Sequence, residues 1–278
     1  MNISLMPDYE NYTRTSRNYD QTRVPIGVDT IITEMSRGEK PLSQQTVLDA
    51  GCGTGNYLLQ LHDKVDFIIG LDRNQGMLKR SEEKLLQAGA GNFELRRAEL
   101  PEIPFEDDTL DRIMINQVIH HLDTKPDYPV LREFCRNAYR ALRSGGSIII
   151  NTCSPQQIWD CYWYVEFVQP GAERLAQKYI PIDQLRQFLH EIGFGDVRQI
   201  VDVAEIFYGD HYYDLEGPLN AAWRDGDSIW SLLTEEELNT SLESYRRAHA
   251  DNRLKEILNR TEKRRRAIGQ SVFVCGDV

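Results

Sequence analysis

The sequence predicts an α/β protein built around a doubly wound, mostly parallel sheet, and two observations carry this prediction. Short apolar runs that end in an acid or an amide alternate with segments patterned as helices. The run from Thr46 to Leu48 leads through Asp49 into a glycine-rich turn, and a helix-patterned segment follows at 57–61. In an open sheet of this kind, ligands bind at the carboxyl ends of the strands.

The turn after the first strand carries three glycines at alternate positions, Gly51, Gly53 and Gly55, with Cys52 between the first two. Glycine lets a backbone adopt positive φ and lets a ligand approach within contact distance. Asp49 stands two residues before the first glycine. A carboxylate there suits a ligand with positive charge and would repel a pyrophosphate. The turn therefore favours a cationic cofactor over a dinucleotide.

Two other nucleotide-binding loops fit this turn less well. The dinucleotide fingerprint requires a third glycine where Asn56 stands, and a P-loop requires a Gly-Lys-Ser/Thr that does not follow. The spacing resembles motif I of the class I S-adenosylmethionine-dependent methyltransferases, and the resemblance covers roughly residues 20–203. It implies a Rossmann-like sheet of seven strands whose last strand, near 271–275, is antiparallel.

The same resemblance assigns cofactor contacts to residues at the ends of later strands. Asp72, followed by Arg73, ends the second strand, where a carboxylate can accept both ribose hydroxyls. Glu99 aligns with the acid that hydrogen-bonds the adenine amino group, although the family usually has Asp there. The backbone N–H of Leu100 would then face the ring. Asn116 ends the fourth strand and would face the site where the methyl group leaves sulfur.

Three histidines are candidates for a general base. His120 and His121 follow the fourth strand in a segment that resembles the family's Leu-His-His-Leu, and His211 lies in a later aromatic stretch. Imidazole titrates near neutrality, so each could take the proton of a hydroxyl or ammonium acceptor. Such histidines also orient a helix or line a pocket, and the sequence leaves these roles open.

The chain divides into a core, an N-terminal segment and two insertions. The segment from Tyr19 to Arg23 matches the family's Tyr-Asp-x-x-Arg region, so we expect a lid over the cofactor in which these two residues contact substrate. The family normally has a short hairpin before the last strand, but 67 residues (204–270) intervene here. The predicted units are a lid at 1–40, a methyltransferase core at 41–203 plus 268–278, and substrate-specificity insertions at 154–180 and 204–267.

The insertions are rich in aromatic residues, and we expect them to form a helical cap over the carboxyl edge of the sheet. Residues 157–230 hold fourteen of the chain's 26 aromatic residues and all four tryptophans. Trp163 and Tyr212 are predicted to contact the acceptor, either by stacking on an aromatic group or by caging a cation. Alternatively, the rings form the insertions' own core.

Composition agrees with an enzyme that acts on small molecules. The 278 residues carry a formal charge of −11 and a sequence pI near 5.1, which disfavours a nucleic-acid substrate. A basic run at 245–266 is the local exception, read as a solvated helix face or an anion site. No apolar stretch of about 18 residues is present, so no membrane span is expected. Five scattered cysteines favour reduced thiols and a cytoplasmic location.

These observations predict an enzyme that transfers the methyl group of S-adenosylmethionine to a small-molecule acceptor by in-line displacement, leaving S-adenosylhomocysteine. Asp49 would lie beneath the methionine moiety and Asp72 would hold the ribose. No metal site is expected, and the oligomeric state is open between monomer and homodimer. The alternatives are a cofactor-binding module without catalysis and a nicotinamide oxidoreductase on a similar fold.

Overall fold

The computed structural model describes residues 25–123 and 127–278. One mixed sheet of seven strands forms the core, in the order β3-β2-β1-β4-β5-β7-β6. The strands are β1 (Thr46–Ala50), β2 (Phe67–Asp72), β3 (Phe93–Arg97), β4 (Leu110–Asn116), β5 (Leu142–Thr152), β6 (Gly195–Ile200) and β7 (Val272–Asp277). Pairing is parallel from β3 to β5, and β7 runs antiparallel between β5 and β6. The predicted fold class, including the antiparallel last strand, is confirmed.

Helices cover both faces of this sheet. They are α1 (Val28–Met35), α2 (Asn56–Leu61), α3 (Gln75–Gln87), α4 (Pro129–Ala141) and α7 (Ile182–Ile192). The α3 helix begins at Asn74, whose side-chain oxygen accepts hydrogen bonds from the N–H groups of Gly76 and Met77. Strands β1 and β4 are buried almost throughout, because helices pack on either side of them.

The remaining helices belong to the two insertions, which together we name the cap (154–180 and 204–267). They are α5 (Pro155–Asp160), α6 (Gln169–Ala176), α8 (Ala221–Arg224), α9 (Ser228–Ser231), α10 (Glu235–Ala250) and α11 (Leu254–Ile268). Capping boxes start two of them, Ser154 with Gln157 at α5 and Thr234 with Glu237 at α10. The second box is visible in the sequence as a Thr followed three residues later by a Glu.

The cap has a hydrophobic cluster of its own, drawn from both insertions. It also uses the basic run of α11 for ion pairs. Arg260 lies 2.6 Å from Glu166, and Arg264 lies 2.9 Å from Asp160, while Glu262 accepts from Arg265 within α11. The basic run therefore pairs with acids of the cap, which favours the helix-face interpretation over an anion site.

The larger insertion leaves and re-enters the sheet at one place. The end of β6 pairs with the start of β7, with Ile200 opposite Phe273. Strand β6 ends at Ile200, three residues before the predicted core boundary at 203, and residues 201–203 lead into the cap. In the described ranges, no helix is both long and apolar enough to cross a membrane.

Candidate functional site

The glycine turn between β1 and α2 opens one face to a ligand. Gly51, Gly53 and Gly55 have φ values of 81°, 54° and 76°, where only glycine is unstrained. A Cβ at Gly51 would lie 2.8 Å from the Val118 side chain, and one at Gly55 would lie 2.1 Å from that of Ser81. At Gly53 a Cβ would meet no described atom within 4 Å. The middle glycine therefore faces the space where a ligand can approach.

Cys52, also predicted at the cofactor, contributes through its backbone. Its N–H donates to the Leu71 carbonyl at 2.8 Å, as does the N–H of Gly51. The thiol is buried in the hydrophobic cluster beneath the turn, and burial raises its pKa. The cysteine thus anchors the turn to β2 and remains a neutral thiol.

Two buried polar side chains meet at the ends of β1 and β4. The Asn116 amide nitrogen donates to Asp49 Oδ1 at 3.3 Å. Asp49 Oδ2 and Asn116 Oδ1 are buried without a hydrogen-bond partner among the residues described. Burial, followed by the charge of Asp72, raises the pKa of Asp49 to about 7. Buried acceptors without donors are unfavourable, so this pair suits a ligand that brings an ammonium group.

Asp72 ends β2 with both carboxylate oxygens held by backbone donors. The N–H of Gly53 donates to Oδ2 at 2.9 Å, and the N–H of Asn74 donates to Oδ1 at 2.7 Å. Burial raises the pKa of this carboxyl. The two bonds fix its orientation beside the glycine turn, and each oxygen keeps a lone pair that can accept from a diol.

The neighbouring residues form a more open rim. Arg73 Nη1 lies 3.8 Å from Glu99 Oε1, and the Glu99 side chain is 55% exposed. The Leu100 side chain packs into the main core, which fixes the loop after β3. Glu99 thus lies on the same edge as Asp72, as the resemblance requires, while its contact with an adenine amino group stays a prediction.

The cavity next to this edge lies between the sheet and the cap. It is partly open to solvent. Its wall combines residues that follow β4 with residues from both insertions, and those that matter for chemistry are His120, His121, Tyr162, Tyr179, Tyr208 and Asp227. Since Asn116 ends β4 immediately before this wall begins, the cavity adjoins the predicted methyl donor site.

His120 and His121 lie in a 3₁₀ helix, Ile119–His121, directly after β4. Their ring centroids are 4.0 Å apart, and the His120 ring lies 4.5 Å from that of Tyr179. Both line the cavity. The structure therefore brings these two candidate bases together on one wall of the cavity.

Asp227 contributes a carboxylate to the cavity wall and also starts α9. Its Oδ1 accepts hydrogen bonds from the N–H groups of Ile229 and Trp230, and its Oδ2 accepts from the Tyr164 hydroxyl. The side chain is buried. The helix cap and the phenol together hold this acid in one orientation toward the cavity.

Three predicted site residues lie elsewhere. The Trp163 indole donates to the Tyr212 carbonyl at 2.7 Å, and the Tyr212 hydroxyl donates to the Cys161 carbonyl at 3.0 Å. Both rings are fully buried in the cap cluster. This corrects the expectation that they contact the acceptor, because their polar atoms are used inside the cap. His211 is exposed on the cap surface, apart from the other two histidines.

Tyr19 and Arg23, predicted to contact substrate, lie outside the described residues. The chain that follows them is fixed at the site, since the Tyr57 hydroxyl accepts from the Ile26 N–H at 3.2 Å and donates to its carbonyl at 3.0 Å. The Asn151 amide also donates to Tyr57, at 3.3 Å. The described chain thus begins beside the helix that follows the glycine turn.

Sequence reasoning missed Gln117 as a site residue. It adopts φ 55° at the end of β4 and lines the cavity. Its N–H donates to the Asn151 carbonyl at 2.8 Å, and its side-chain amide donates to Asn151 Oδ1 at 3.0 Å. A non-glycine residue at positive φ is uncommon and often marks a functional site. That signal exists only in the backbone, so the sequence could not reveal it.

Comparisons with known proteins agree with this geometry. A model of the family described as "Methyltransferase domain" matches residues 42–190, more than half of the chain. A demethylmenaquinone methyltransferase of Listeria monocytogenes is 28% identical over 178 residues, which is 55% of this chain and 71% of that protein.

Solved structures share the fold over nearly the whole chain. A protein described as a methyltransferase from an antibiotic biosynthesis pathway of Anabaena variabilis has a TM-score of 0.73 at 18% identity, covering 93% of this chain and 100% of its own. A phosphoethanolamine N-methyltransferase of Haemonchus contortus, solved with phosphomonomethylethanolamine and S-adenosylhomocysteine, has a TM-score of 0.58 at 16% identity, covering 99% of this chain and 60% of its own. Because the family model matches more than half of the chain, including strands β1 to β5 and the glycine turn, the chain belongs to the Methyltransferase domain family and is an S-adenosylmethionine-dependent methyltransferase.

Proposed function

We propose that the enzyme methylates a small molecule that binds in the cavity between the sheet and the cap. The observation that carries this proposal is the position of the cavity, whose wall begins at Gln117, one residue after Asn116. When bound, S-adenosylmethionine supplies a methyl carbon already activated by its sulfonium. The protein's task is then to align an acceptor atom with that carbon for in-line displacement.

The cofactor roles follow from the groups at the sheet edge. Asp49 and Asn116 accept from the ammonium of the methionine moiety, because their unpartnered oxygens are buried there. Asp72 accepts from the ribose hydroxyls, and the backbone around Gly53 lies against the nucleoside. Glu99 and Leu100 serve the adenine, with Arg73 holding Glu99 by charge.

His120 and His121 take the proton that an acceptor must lose before it attacks. A general base has to lie within hydrogen-bond reach of that proton, and these are the two histidines that line the cavity. His211 is not part of this proposal, since it is exposed on the cap. The net charge of −11 supports a small acceptor over a nucleic acid.

A calorimetric titration with S-adenosylhomocysteine, with NADH in parallel, tests the donor half of the proposal. We expect one-to-one binding of S-adenosylhomocysteine alone. A labelled-methyl screen of amines, thiols, phenols and carboxylic acids then tests the acceptor half. Absence of S-adenosylhomocysteine binding would contradict the cofactor roles, and transfer only to a nucleic acid would contradict the small-molecule acceptor.

A further inference from the structure

We propose that the acceptor is an amine that enters the cavity as an ammonium ion and is held there by its positive charge. This inference rests on the proposed function and specifies its substrate class. It follows from what the cavity wall contains, from how the wall's charges are held, and from how charge moves during transfer to nitrogen.

Aromatic rings make up much of the wall. Tyr162, Tyr179, Tyr208 and Phe207 line the cavity from both insertions. The Tyr162 and Phe207 rings are 6.5 Å apart and 30° from parallel, and the Tyr179 ring lies against His120. The face of each ring is electron-rich, and a cation placed over several such faces is attracted by each. The wall thus resembles the aromatic cages that bind alkylammonium groups.

The formal charge of the wall is negative. Asp227 is its carboxylate, and no Lys or Arg is among the cavity-lining residues of the described chain. Burial, and further the neighbouring groups that include Asp227, raise the pKa of Tyr162. Burial and Asp227 likewise raise the pKa of Tyr164. Tyr162 therefore stays neutral in the wall, as does Tyr164, which holds Asp227 from outside the lining, and the wall presents one acid, two histidines and several uncharged aromatic rings to a ligand.

Charge movement during the reaction separates amines from the other acceptors. The ammonium first gives a proton to His120 or His121, which passes it to solvent. The nitrogen lone pair then forms a bond to the methyl carbon while the carbon–sulfur bond breaks and its electron pair stays on sulfur. Positive charge moves from sulfur to nitrogen, so the acceptor is a cation when it enters the cavity and again when it leaves as the methylated ammonium.

An oxygen or sulfur acceptor would need a different wall. A phenolate, thiolate or carboxylate brings negative charge into the cavity. Its attack on the methyl carbon breaks the carbon–sulfur bond, and the electron pair left on sulfur neutralises the sulfonium, so both charges are lost. Stabilising such an anion calls for Lys, Arg or directed N–H donors. Asp227 would instead repel it. The cavity as built favours an acceptor that is cationic on entry and again as the methylated product.

The test compares two probes of similar size that cannot be methylated, tetramethylammonium and tert-butanol, on the complex with S-adenosylhomocysteine. Calorimetry measures both affinities for the native protein and for three variants. Tyr162→Leu removes a cavity ring, Tyr162→Phe keeps the ring, and Phe167→Leu is the matched control, because Phe167 packs on Tyr245 away from the cavity.

We expect tetramethylammonium to bind at least about tenfold more tightly than tert-butanol, as expected for a cation among several rings. Tyr162→Leu should remove most of this preference, whereas Tyr162→Phe and Phe167→Leu should retain it. Equal affinity for the two probes would overturn the inference. So would labelled-methyl transfer to phenols or thiols with amines inert, and that result would leave the proposed function standing. Failure to bind S-adenosylhomocysteine would instead contradict the proposed function.

Discussion

The sheet edge that carries the predicted cofactor-binding residues and the cavity that adjoins it are held by different means. At the edge, backbone groups of consecutive segments fix the geometry: the N–H groups of Gly53 and Asn74 hold Asp72, and strand pairing brings Asp49 next to Asn116. In the cavity, side chains from residues as far apart as 117 and 229 converge. Only the packing of the cap on the sheet brings them together.

This difference separates a region that tolerates little change from one that can vary within one molecule. The edge tolerates little change, because a Cβ at Gly51 or Gly55 would collide with a neighbouring side chain. The cavity is lined by rings whose exchange alters shape and charge while the sheet stays intact. Variants at the edge should therefore change cofactor affinity, and variants in the cavity should change acceptor turnover.

Replacing the cavity histidines should produce the largest effect. His120→Gln and His121→Gln are made separately, and we expect loss of the base to lower kcat by about 10²- to 10⁴-fold with S-adenosylhomocysteine affinity unchanged. His211→Gln is the matched control, since this histidine is exposed. Full activity in both cavity variants would exclude a histidine base, and reduced activity in the control would place His211 at the site.

At the cofactor edge, Asp72→Ala should weaken S-adenosylhomocysteine binding by at least about tenfold, because two charge-assisted hydrogen bonds are lost. Calorimetry measures the affinity, and circular dichroism checks that the variant is folded. Asp63→Ala, which removes an exposed acid at the opposite end of α2, is the control. Unchanged affinity in folded Asp72→Ala would remove this residue from the cofactor site.

Cofactor affinity should also depend on pH through Asp49. The pKa of this carboxyl is about 7 in the protein, whereas an unfolded chain has an Asp pKa of about 3.9. The proton therefore stabilises the ligand-free fold, and that contribution is lost as pH rises through about 7. An ammonium ligand favours the carboxylate, so binding below pH 7 releases a proton.

Below pH 7 we expect the affinity for S-adenosylhomocysteine to fall about tenfold for each pH unit. The decline should stop at the lower pKa that Asp49 has in the complex, because below it the carboxyl is protonated in both states. Calorimetry in two buffers of different ionisation enthalpy counts the released proton. Asp49→Asn should bind more weakly with a flatter pH profile. A profile as steep in Asp49→Asn as in the native protein would assign the proton to another group.

The smallest effect should come from the cap interior. Tyr212→Phe removes one buried hydrogen bond, worth about 1 kcal/mol in the free energy of unfolding. The Cys161 carbonyl keeps a second donor, the Gln270 amide at 3.0 Å. Denaturant unfolding should therefore show a modest loss, with kcat/KM for the acceptor unchanged. An altered acceptor preference would return Tyr212 to the binding surface.

The contrast between the sheet edge and the cavity also explains which features could be predicted from the sequence. The glycine turn, Asp72, the Asn74 cap and the position of β7 all depend on short segments, and they were predictable from local patterns. Trp163 and Tyr162 are neighbours in the chain, yet one ring is in the cap interior and the other lines the cavity. The short 3₁₀ helix Trp163–Phe167 begins between them. So short a helix has too few residues for a hydrophobic repeat that would show which side chains face the interior.

Asp227 was unpredictable for a related reason. In the sequence it is one acid among 43 acidic residues. Its role depends on the fold of the larger insertion, which places the start of α9 against Tyr164 of the smaller one. His211 and Tyr212 are equally instructive, because one short turn exposes the first and buries the second.

The pairing of Ile200 with Phe273 has a consequence for how such enzymes diversify. The larger insertion starts and finishes at adjacent points of one antiparallel pair, so its length places no demand on the strands on either side. Exchange of the segment 204–267 between homologous genes would leave the register of β6 and β7 as it is. A change of this segment would thus reshape the cavity wall through two nearby junctions, while the residues predicted to bind the methyl donor keep their places on the sheet.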